Sequence, residues 1–574
     1  MSSPTIQGLA AAPGIAVGPL WIHRPEGVVI ERGPARDPAE EWRRVRRSIE
    51  RSRAQLVELG GLALARVGPV EAAIFEAHQM FLDDEEFINA IRTGIDGKSL
   101  TAEAAIEDAV TVYADMLLAL DDEYFRARAA DLRDVGLRLI RNASGGEAVT
   151  HTLSQPSIIV ADDLSPSDTI QFDRQFVLGL CTARGGPTSH VAILSRGMGV
   201  PAIVSARFDP DALAEGTLAV LDGEAGTLTL EPDQEEINAA QQRRGQWLSA
   251  RALAQSVAHE PAVTTDGVRA EIVANIGNQR DALSAIDNGA EGVGLFRTEF
   301  LFMDRDDLPT EEEQVASYAE IARLMAGRPL VARMLDIGGD KPVPYLGIEH
   351  EDNPFLGWRA IRMLDGREDI YLTQFRALLR ACAPTPDFRP DLRIMLPMVS
   401  TMLEIERGRA LFDRARQQLR DEGLPQAEHV QFGIMVEVPS AALLAHHFAR
   451  HVDFFSIGTN DLTQYTLAVD RGNARVVSLA SPFSPAVLRL IAMTIDAAHA
   501  HGKWCGLCGE LGGDVMATPL LLGMGLDEFS MSPSAIPAVK ARVRALSQAD
   551  CRAIAAHALS LATNREVTDY LGGL

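Results

Sequence analysis

The stretch Gly185-Gly186-Pro187-Thr188-Ser189-His190 is followed by Val191-Ala-Ile-Leu-Ser195-Arg196, which reads as the first turns of a helix. Paired glycines let backbone N–H groups approach a ligand closely, and Thr188 and Ser189 are residue types that cap helix starts. His190 then sits where unpaired N–H groups and the positive end of a helix dipole converge, a place that favours phosphate. The chemistry this suggests is a phosphoryl group carried on the His190 ring. A glycine turn ahead of a helix with a partly exposed histidine fits the same residues, so the stretch by itself leaves both readings open.

A second set of reactive side chains closes a series of apolar runs further along. These are Arg297-Thr-Glu299, Arg333 leading into Asp336-Ile-Gly-Gly-Asp340-Lys341, Glu437-Val-Pro439, Gly458-Thr-Asn460-Asp461 with Arg471 soon after, and Cys508-Gly-Glu510. Guanidinium groups stay charged and bind anionic oxygens in pairs. Two carboxylates, Glu437 and Asp461, would be few ligands for Mg²⁺, which completes its octahedron with water and substrate oxygens. Arginines beside such a pair suit a small, doubly anionic phosphorylated substrate. Cys505-Gly-Leu-Cys508 also has the form of a redox or zinc motif. Zinc would want a second pair at similar spacing and a redox centre a thioredoxin-like context, so the spacing is read as incidental.

The elements that must position these residues follow from periodicity. Residues 269–275, 292–296, 330–335, 392–396, 432–436, 454–457, 504–507 and 528–531 are apolar, strand-like runs separated by helical stretches. Eight such alternations predict a (β/α)8 TIM barrel over residues 261–574, with the reactive residues at the C-terminal strand ends where barrels place their sites. Strand-like runs within 1–36 and 144–230 predict one α/β domain containing His190, interrupted by an all-helical insertion of about four helices over 37–143. Residues 231–260, rich in Gln, Arg and Ala, predict a connecting helix. In the insertion, the apolar stripe of Val70 to Leu82 precedes Asp83-Asp84-Glu85-Glu86. That pairing fits docking of a basic protein, but from pattern alone it is more often a core-facing helix with a solvated face.

A net charge of −25 over 574 residues argues against nucleic acid or an anionic membrane surface as partner. Five scattered cysteines fit a reducing compartment without a disulfide framework. With no signal-peptide pattern and no apolar run of about 18 residues, the expectation is a cytoplasmic protein without membrane insertion.

The Gly-Gly-x-Thr-Ser-His loop, with its apolar helix and Pro201-Ala-Ile-Val204, resembles the phosphohistidine domain of the phosphoenolpyruvate-utilising enzymes. That family includes Enzyme I of the sugar phosphotransferase system, pyruvate phosphate dikinase and phosphoenolpyruvate synthase. The runs Asp336 to Lys341, Asn353 to Arg362, Gly458 to Asn473 and Gly502 to Glu510 are similar to Enzyme I, and the likeness covers essentially the whole chain. It implies a multidomain α/β fold in which a swivelling phosphohistidine domain carries a helical subdomain that docks the histidine-containing phosphocarrier protein, HPr. A linker helix then leads to the phosphoenolpyruvate-binding barrel. It also implies that His190 is phosphorylated, that Arg297, Arg333, Asn460, Asp461 and Arg471 bind phosphoenolpyruvate, and that Glu437 and Asp461 hold Mg²⁺. Cys508 would be the proton donor, and the chain a homodimer through its barrel.

Pro187 departs from the arginine that sugar-system members often have in this loop. A dikinase or synthase would need a nucleotide-binding domain, and residues 37–143 contain no glycine-rich phosphate loop. A nitrogen-regulatory paralogue usually carries an extra N-terminal sensory domain, whereas this sequence opens on the phosphotransferase core. A non-catalytic adaptor would have no use for the intact set of site residues.

Overall fold

The computed structural model describes residues 3–24, 30, 37–66, 69–119, 123–145, 153–186, 189–303, 305, 307–339, 343–349, 351–470, 473 and 476–574. Arg471, Pro187, Thr188, Asp340 and Lys341, all singled out above, lie outside the described residues. The chain divides into two compact units, Met1–Ser249 and Ala250–Leu574.

The first unit is built on an eight-stranded sheet. Its strands are β1 (Thr5–Gln7), β2 (Leu9–Ala12), β3 (Ile15–Ile22), β4 (Ser157–Ala161), β5 (Val177–Thr182), β6 (Ala202–Val204), β7 (Leu218–Asp222) and β8 (Thr227–Leu230). The spatial order is β1-β8-β7-β3-β4-β5-β6-β2. At its centre β3, β4, β5 and β6 run parallel. The parallel strands explain why β4, Ser-Ile-Ile-Val-Ala, is buried at every residue, since both faces of such a strand are covered.

Between β3 and β4 the chain makes α1 (Pro38–Arg66), α2 (Pro69–Phe81), α3 (Glu85–Lys98), α4 (Ala102–Ala119) and α5 (Glu123–Ala143). Their shared core includes Val45, Leu56, Phe75, Ile91, Ile106 and Leu139. Five helices form where about four were expected. The additional one is α3, which begins inside the acidic cluster. Asp84 is its N-cap and accepts from the Phe87 N–H, and Glu85 and Glu86 occupy the first turn where the helix dipole favours them. Asp83 pairs with Arg53 at 2.6 Å. Much of the acidity read as a docking surface therefore also starts a helix. After β4 come α6 (Pro166–Gln171) and α7 (His190–Met198), and α8 (Gln234–Ser256) follows the sheet.

The second unit is a closed barrel. A short β9 (Ala262–Val263) pairs antiparallel with β10 (Arg269–Ile276). Then follow β11 (Val293–Arg297), β12 (Pro329–Arg333), β13 (Asp391–Leu396), β14 (Val430–Val436), β15 (Phe454–Ile457), β16 (Trp504–Leu507) and β17 (Glu528–Met531). Each pairs in parallel with the next, and β10 pairs with both β17 and β11, which closes the ring of eight. All eight expected strands are present. Period-two alternation sends residues such as Ile272, Ile394, Ile434 and Leu507 outward against the helices, and Val331, Met395, Met435 and Phe454 into the interior. No described helix is long and apolar enough to cross a membrane.

Candidate active site

The C-terminal ends of the barrel strands converge on a buried ionic network. Arg333, the last residue of β12, is 6% exposed. Its Nη1 lies 3.1 Å from Asp336 Oδ2, and its Nη2 pairs with Glu299 beyond β11. Burial opposes the charge on Arg333, but Glu299 and Asp336 outweigh it and raise its pKa. Arg359 is 2% exposed and sits between two carboxylates. Its Nε and Nη2 bond Asp336 at 3.0 and 3.2 Å, and its Nη1 and Nη2 reach Asp461 at 3.3 and 3.4 Å. Nη1 also donates to Tyr465 Oη at 3.2 Å. Gly338 makes this packing possible. Its φ of +106° is open to glycine, and a Cβ there would come within 3.0 Å of Arg359 Cβ.

Glu437 is the residue after β14 and is buried. Its Oε1 accepts from the Met398 N–H at 2.5 Å, and Met398 is held at φ +56°, a conformation a side chain adopts only under constraint. Burial, then Asp461 and Asp336, raise the Glu437 pKa. Asp461 stands in the first turn of the helix Thr459–Leu467, which starts directly after β15. Asn460, on the same turn, accepts from the Glu510 N–H at 3.3 Å. Four buried carboxylates, Glu299, Asp336, Glu437 and Asp461, thus face two buried guanidinium groups, Arg333 and Arg359. That excess of hard oxygen donors suits a divalent cation such as Mg²⁺ at Glu437 and Asp461.

Arg297 ends β11 and is exposed, and no ion pair holds it among the described residues. It is available to an incoming anion, and its field reaches Cys508. Cys508, directly after β16, belongs to the barrel interior, whereas Cys505 packs outward among the helices. Burial pushes the Cys508 pKa up to about 11, against the pull of Ser456, Arg333 and Arg297, so it is a thiol at neutral pH. Gly509 lets the chain turn there, since a Cβ would fall 1.7 Å from Thr459 Oγ1.

His190 lies in the first unit, as the first residue of α7, and is half-buried. Gly185, at φ +91°, shapes the loop before it, and the Ser189 N–H bonds Gly186 O at 2.9 Å. Ser189 is the N-cap but makes no side-chain capping bond, and among the described residues its buried Oγ has no hydrogen-bond partner. A helix start of this kind suits an anionic ligand.

The structure brings Arg297, Arg333, Glu437, Asn460, Asp461 and Cys508 to one end of one barrel, while His190 belongs to the other unit. Sequence reasoning gave no role to Arg359. The only signal was an arginine inside the apolar run Gly357-Trp-Arg-Ala-Ile361 with no nearby acidic residue to solvate it. Gln374 was missed as well. It is wholly buried on the helix Glu368–Ala381, where Oε1 accepts from the Leu335 N–H at 2.9 Å. Its Nε2 donates to Thr298 Oγ1 and Tyr318 Oη, and Thr298 Oγ1 donates to Arg333 O at 2.7 Å. The ends of β11 and β12 are thereby fastened to each other.

Comparison with known proteins gives a consistent result. The family described as PEP-utilising enzyme matches through its N-terminal region at residues 7–128, its mobile domain at 153–226 and its PEP-binding domain at 251–548. A phosphoenolpyruvate-protein phosphotransferase of Priestia megaterium is 42% identical over 568 residues, covering 99% of this chain and 98% of its own. One from Staphylococcus aureus is 41% identical over 571 residues and covers 99% of each. A solution structure of Enzyme I is 32% identical, covers 42% of this chain and 99% of its own, and superposes with a TM-score of 0.37.

Proposed function

We propose that this chain, which belongs to the phosphoenolpyruvate-utilising enzyme family, is a phosphoenolpyruvate–protein phosphotransferase acting in the cytoplasm. It moves the phosphoryl group of phosphoenolpyruvate to His190 and then to a histidine of a phosphocarrier protein, releasing pyruvate. The observation that carries this reading is the barrel-mouth set of Arg297, Arg333 and Arg359 beside Glu437 and Asp461, with a buried thiol at Cys508.

The substrate phosphate and carboxylate are taken up by Arg297 and Arg333, with Asn460 and Arg471 as further donors. Arg359 acts indirectly, by fixing the orientation of Asp336 and Asp461. Glu437 and Asp461 hold Mg²⁺, which when bound neutralises phosphate charge and orients the transferring group. In the neutral form, the His190 ring attacks phosphorus in line as the enolate leaves. Cys508, held as a thiol by burial, gives its proton to the enolate methylene carbon. The N–H groups at the start of α7 and the Ser189 hydroxyl then stabilise the phosphate on His190. The reaction requires His190 to meet the barrel mouth and then the carrier. The linker around α8 is the proposed hinge, and α1 to α5 with the acidic start of α3 the proposed docking surface for a basic carrier. Association of two chains through the barrel belongs to the same reading.

The test is to supply phosphoenolpyruvate, Mg²⁺ and candidate carriers, and to follow pyruvate and phosphorylated carrier together. Equal amounts of both, stopped by chelator and restored by Mn²⁺, are expected. Pyruvate release that never phosphorylates a carrier or His190 would overturn the reading.

A further inference from the structure

Below Cys508 the barrel interior holds polar groups that the phosphoryl chemistry does not use. Because Cys505 and Leu507 face outward, Trp504, Gly506 and Cys508 face inward. Strand register sets Ser456 beside Gly506 and Gly506 beside Glu528, so these three form one layer across β15, β16 and β17. Adjacent strands are about 4.8 Å apart, which puts Ser456 and Glu528 roughly 10 Å apart at the backbone. Gly506 adds no side chain of its own to this layer, and a Cβ there would lie 2.9 Å from Glu528 Oε1 and 3.3 Å from the Trp504 ring. The Ser456 hydroxyl, fully buried, lies close enough to the Cys508 thiol to favour its thiolate, although among the described residues it meets full hydrogen-bond geometry with no group.

Glu528 is 1% exposed, and among the described residues neither of its carboxyl oxygens has a hydrogen-bond partner. Arg393 Nη1 approaches to 3.7 Å, too far for a hydrogen bond. That guanidinium is already engaged by Asp391 at 3.1 Å and lies over the Trp504 ring. The charged groups facing Glu528 are Arg393 and Asp391 from β13, Glu271 from β10 and Asp527 beside it in sequence, three carboxylates against one cation. Burial, more than any of these, pushes its pKa up to about 8, so Glu528 holds a proton at neutral pH.

We propose that Glu528 is a proton reservoir that recharges Cys508 through the Ser456 hydroxyl after each turnover. The proposal rests on Cys508 being the proton donor to the enolate. In that step the Cys508 S–H bond breaks, a C–H bond forms on the methylene carbon, and a thiolate remains. Ser456 then gives its hydroxyl proton to the sulfur and accepts the Glu528 proton, directly or across one water. The transfer runs downhill, from an acid near 8 to a thiol near 11. The Glu528 carboxylate left beside Arg393 regains a proton from solvent.

The experiment follows pyruvate by rapid quench in parent, Glu528→Gln, Ser456→Ala and Cys508→Ala proteins, supplied with phosphoenolpyruvate, Mg²⁺ and excess phosphocarrier protein. In Glu528→Gln the first equivalent of pyruvate should form at the parental rate, because Cys508 brings its own proton. Later turnovers should be about tenfold slower or worse, as expected for a lost proton-transfer group. The parental fall in steady rate with a midpoint near pH 8 should disappear. Ser456→Ala should show the same fast first and slow later phases, and it keeps the test available if Glu528→Gln fails to fold. Parental steady rates in both variants, with the first equivalent lost in Cys508→Ala, would overturn the relay and leave the role of Cys508 intact. An unchanged time course in Cys508→Ala would instead remove the reading on which the relay depends.

Discussion

At the barrel mouth Arg333 and Arg359 are locked by Glu299, Asp336 and Asp461, whereas at the start of α7 Ser189 makes no side-chain capping bond and His190 is half-buried. The first arrangement is fixed before any substrate arrives. The second leaves the Ser189 side chain without a capping bond. This difference matches the two tasks proposed for them. A site that cleaves a phosphate ester gains from charges held in place before the reaction. A site that accepts a phosphoryl group and must surrender it gains little from a rigid ionic cage, since binding both states equally well accelerates nothing.

The sharpest way to break the comparison is to unlock the barrel mouth. Arg359→Met would take from buried Asp336 and Asp461 the guanidinium they share, with Arg333 still beside Asp336, and breaking such a network costs about 3–5 kcal/mol. Turnover of phosphoenolpyruvate should fall about a thousandfold or more, the scale of losing a preorganised charge. Phosphoryl transfer from a phosphorylated carrier back to His190 should be unaffected. Equal damage to both half-reactions would mean that the two sites are not independent. Arg359→Lys should rescue poorly, because one ammonium cannot replace a guanidinium bonded to both carboxylates.

A smaller effect is expected behind the site. Gln374→Leu strands the buried Leu335 N–H, at about 1–3 kcal/mol, while the hydroxyls of Thr298 and Tyr318 keep the bonds they donate to Arg333 O and Gln314. The KM for phosphoenolpyruvate should rise about tenfold, equivalent to about 1.4 kcal/mol, with kcat changed less. Gln374→Glu should not restore the Nε2 bonds. A kcat loss at constant KM would argue against a positioning role for Gln374.

Acidity inside the barrel offers a gentler probe. Glu528 binds its proton more tightly folded than unfolded, so the stability it contributes is complete below the ordinary carboxylate range and is lost as pH rises through about 8. Denaturant midpoints of the parent should therefore decline between pH 5 and 8.5, and Glu528→Gln should flatten that decline. Parallel curves for the two proteins would mean that Glu528 ionises normally.

The smallest effects compare two helix starts directly. Asp84 caps α3 through a real hydrogen bond, so Asp84→Ala should cost about 1 kcal/mol in thermal unfolding. Ser189→Ala removes no capping bond and should be nearly silent in stability, yet it should slow phosphorylation of His190. A stability loss at Ser189 as large as at Asp84 would make it an ordinary cap.

Much of the barrel was legible because each strand is a short apolar run separated from the next by a helical stretch, and closure into eight follows from counting them. Arg297, Arg333, Glu437, Asp461 and Cys508 were legible for the same reason, each lying at or just past a strand end. Arg359 was not. It lies in a loop without periodicity, and its partners Asp336 and Asp461 stand on the exits of two different strands, which only closure brings together. Gln374 was hidden for a related cause, since a polar residue on a helix gives no sign in sequence that it is wholly buried. The missed α3 reflects a local ambiguity. Four consecutive acids read as a solvated surface, while their position before Phe87, Ile91 and Ile95 makes them a helix start with a buried stripe. Pro201-Ala-Ile-Val204 was noticed as a motif, and three of its residues form β6, too short for an alternating pattern to declare itself.

The central claim is that phosphate leaving the barrel site is carried on His190. Its most direct measurement exposes parent and His190→Ala proteins to phosphoenolpyruvate labelled in its phosphate, with Mg²⁺, and locates the label by mass spectrometry of peptides. The account predicts one acid-labile, alkali-stable phosphoryl group per chain on the peptide containing His190, and none in the variant. Labelling of His190→Ala to the parental level, or a label that resists acid, would contradict it.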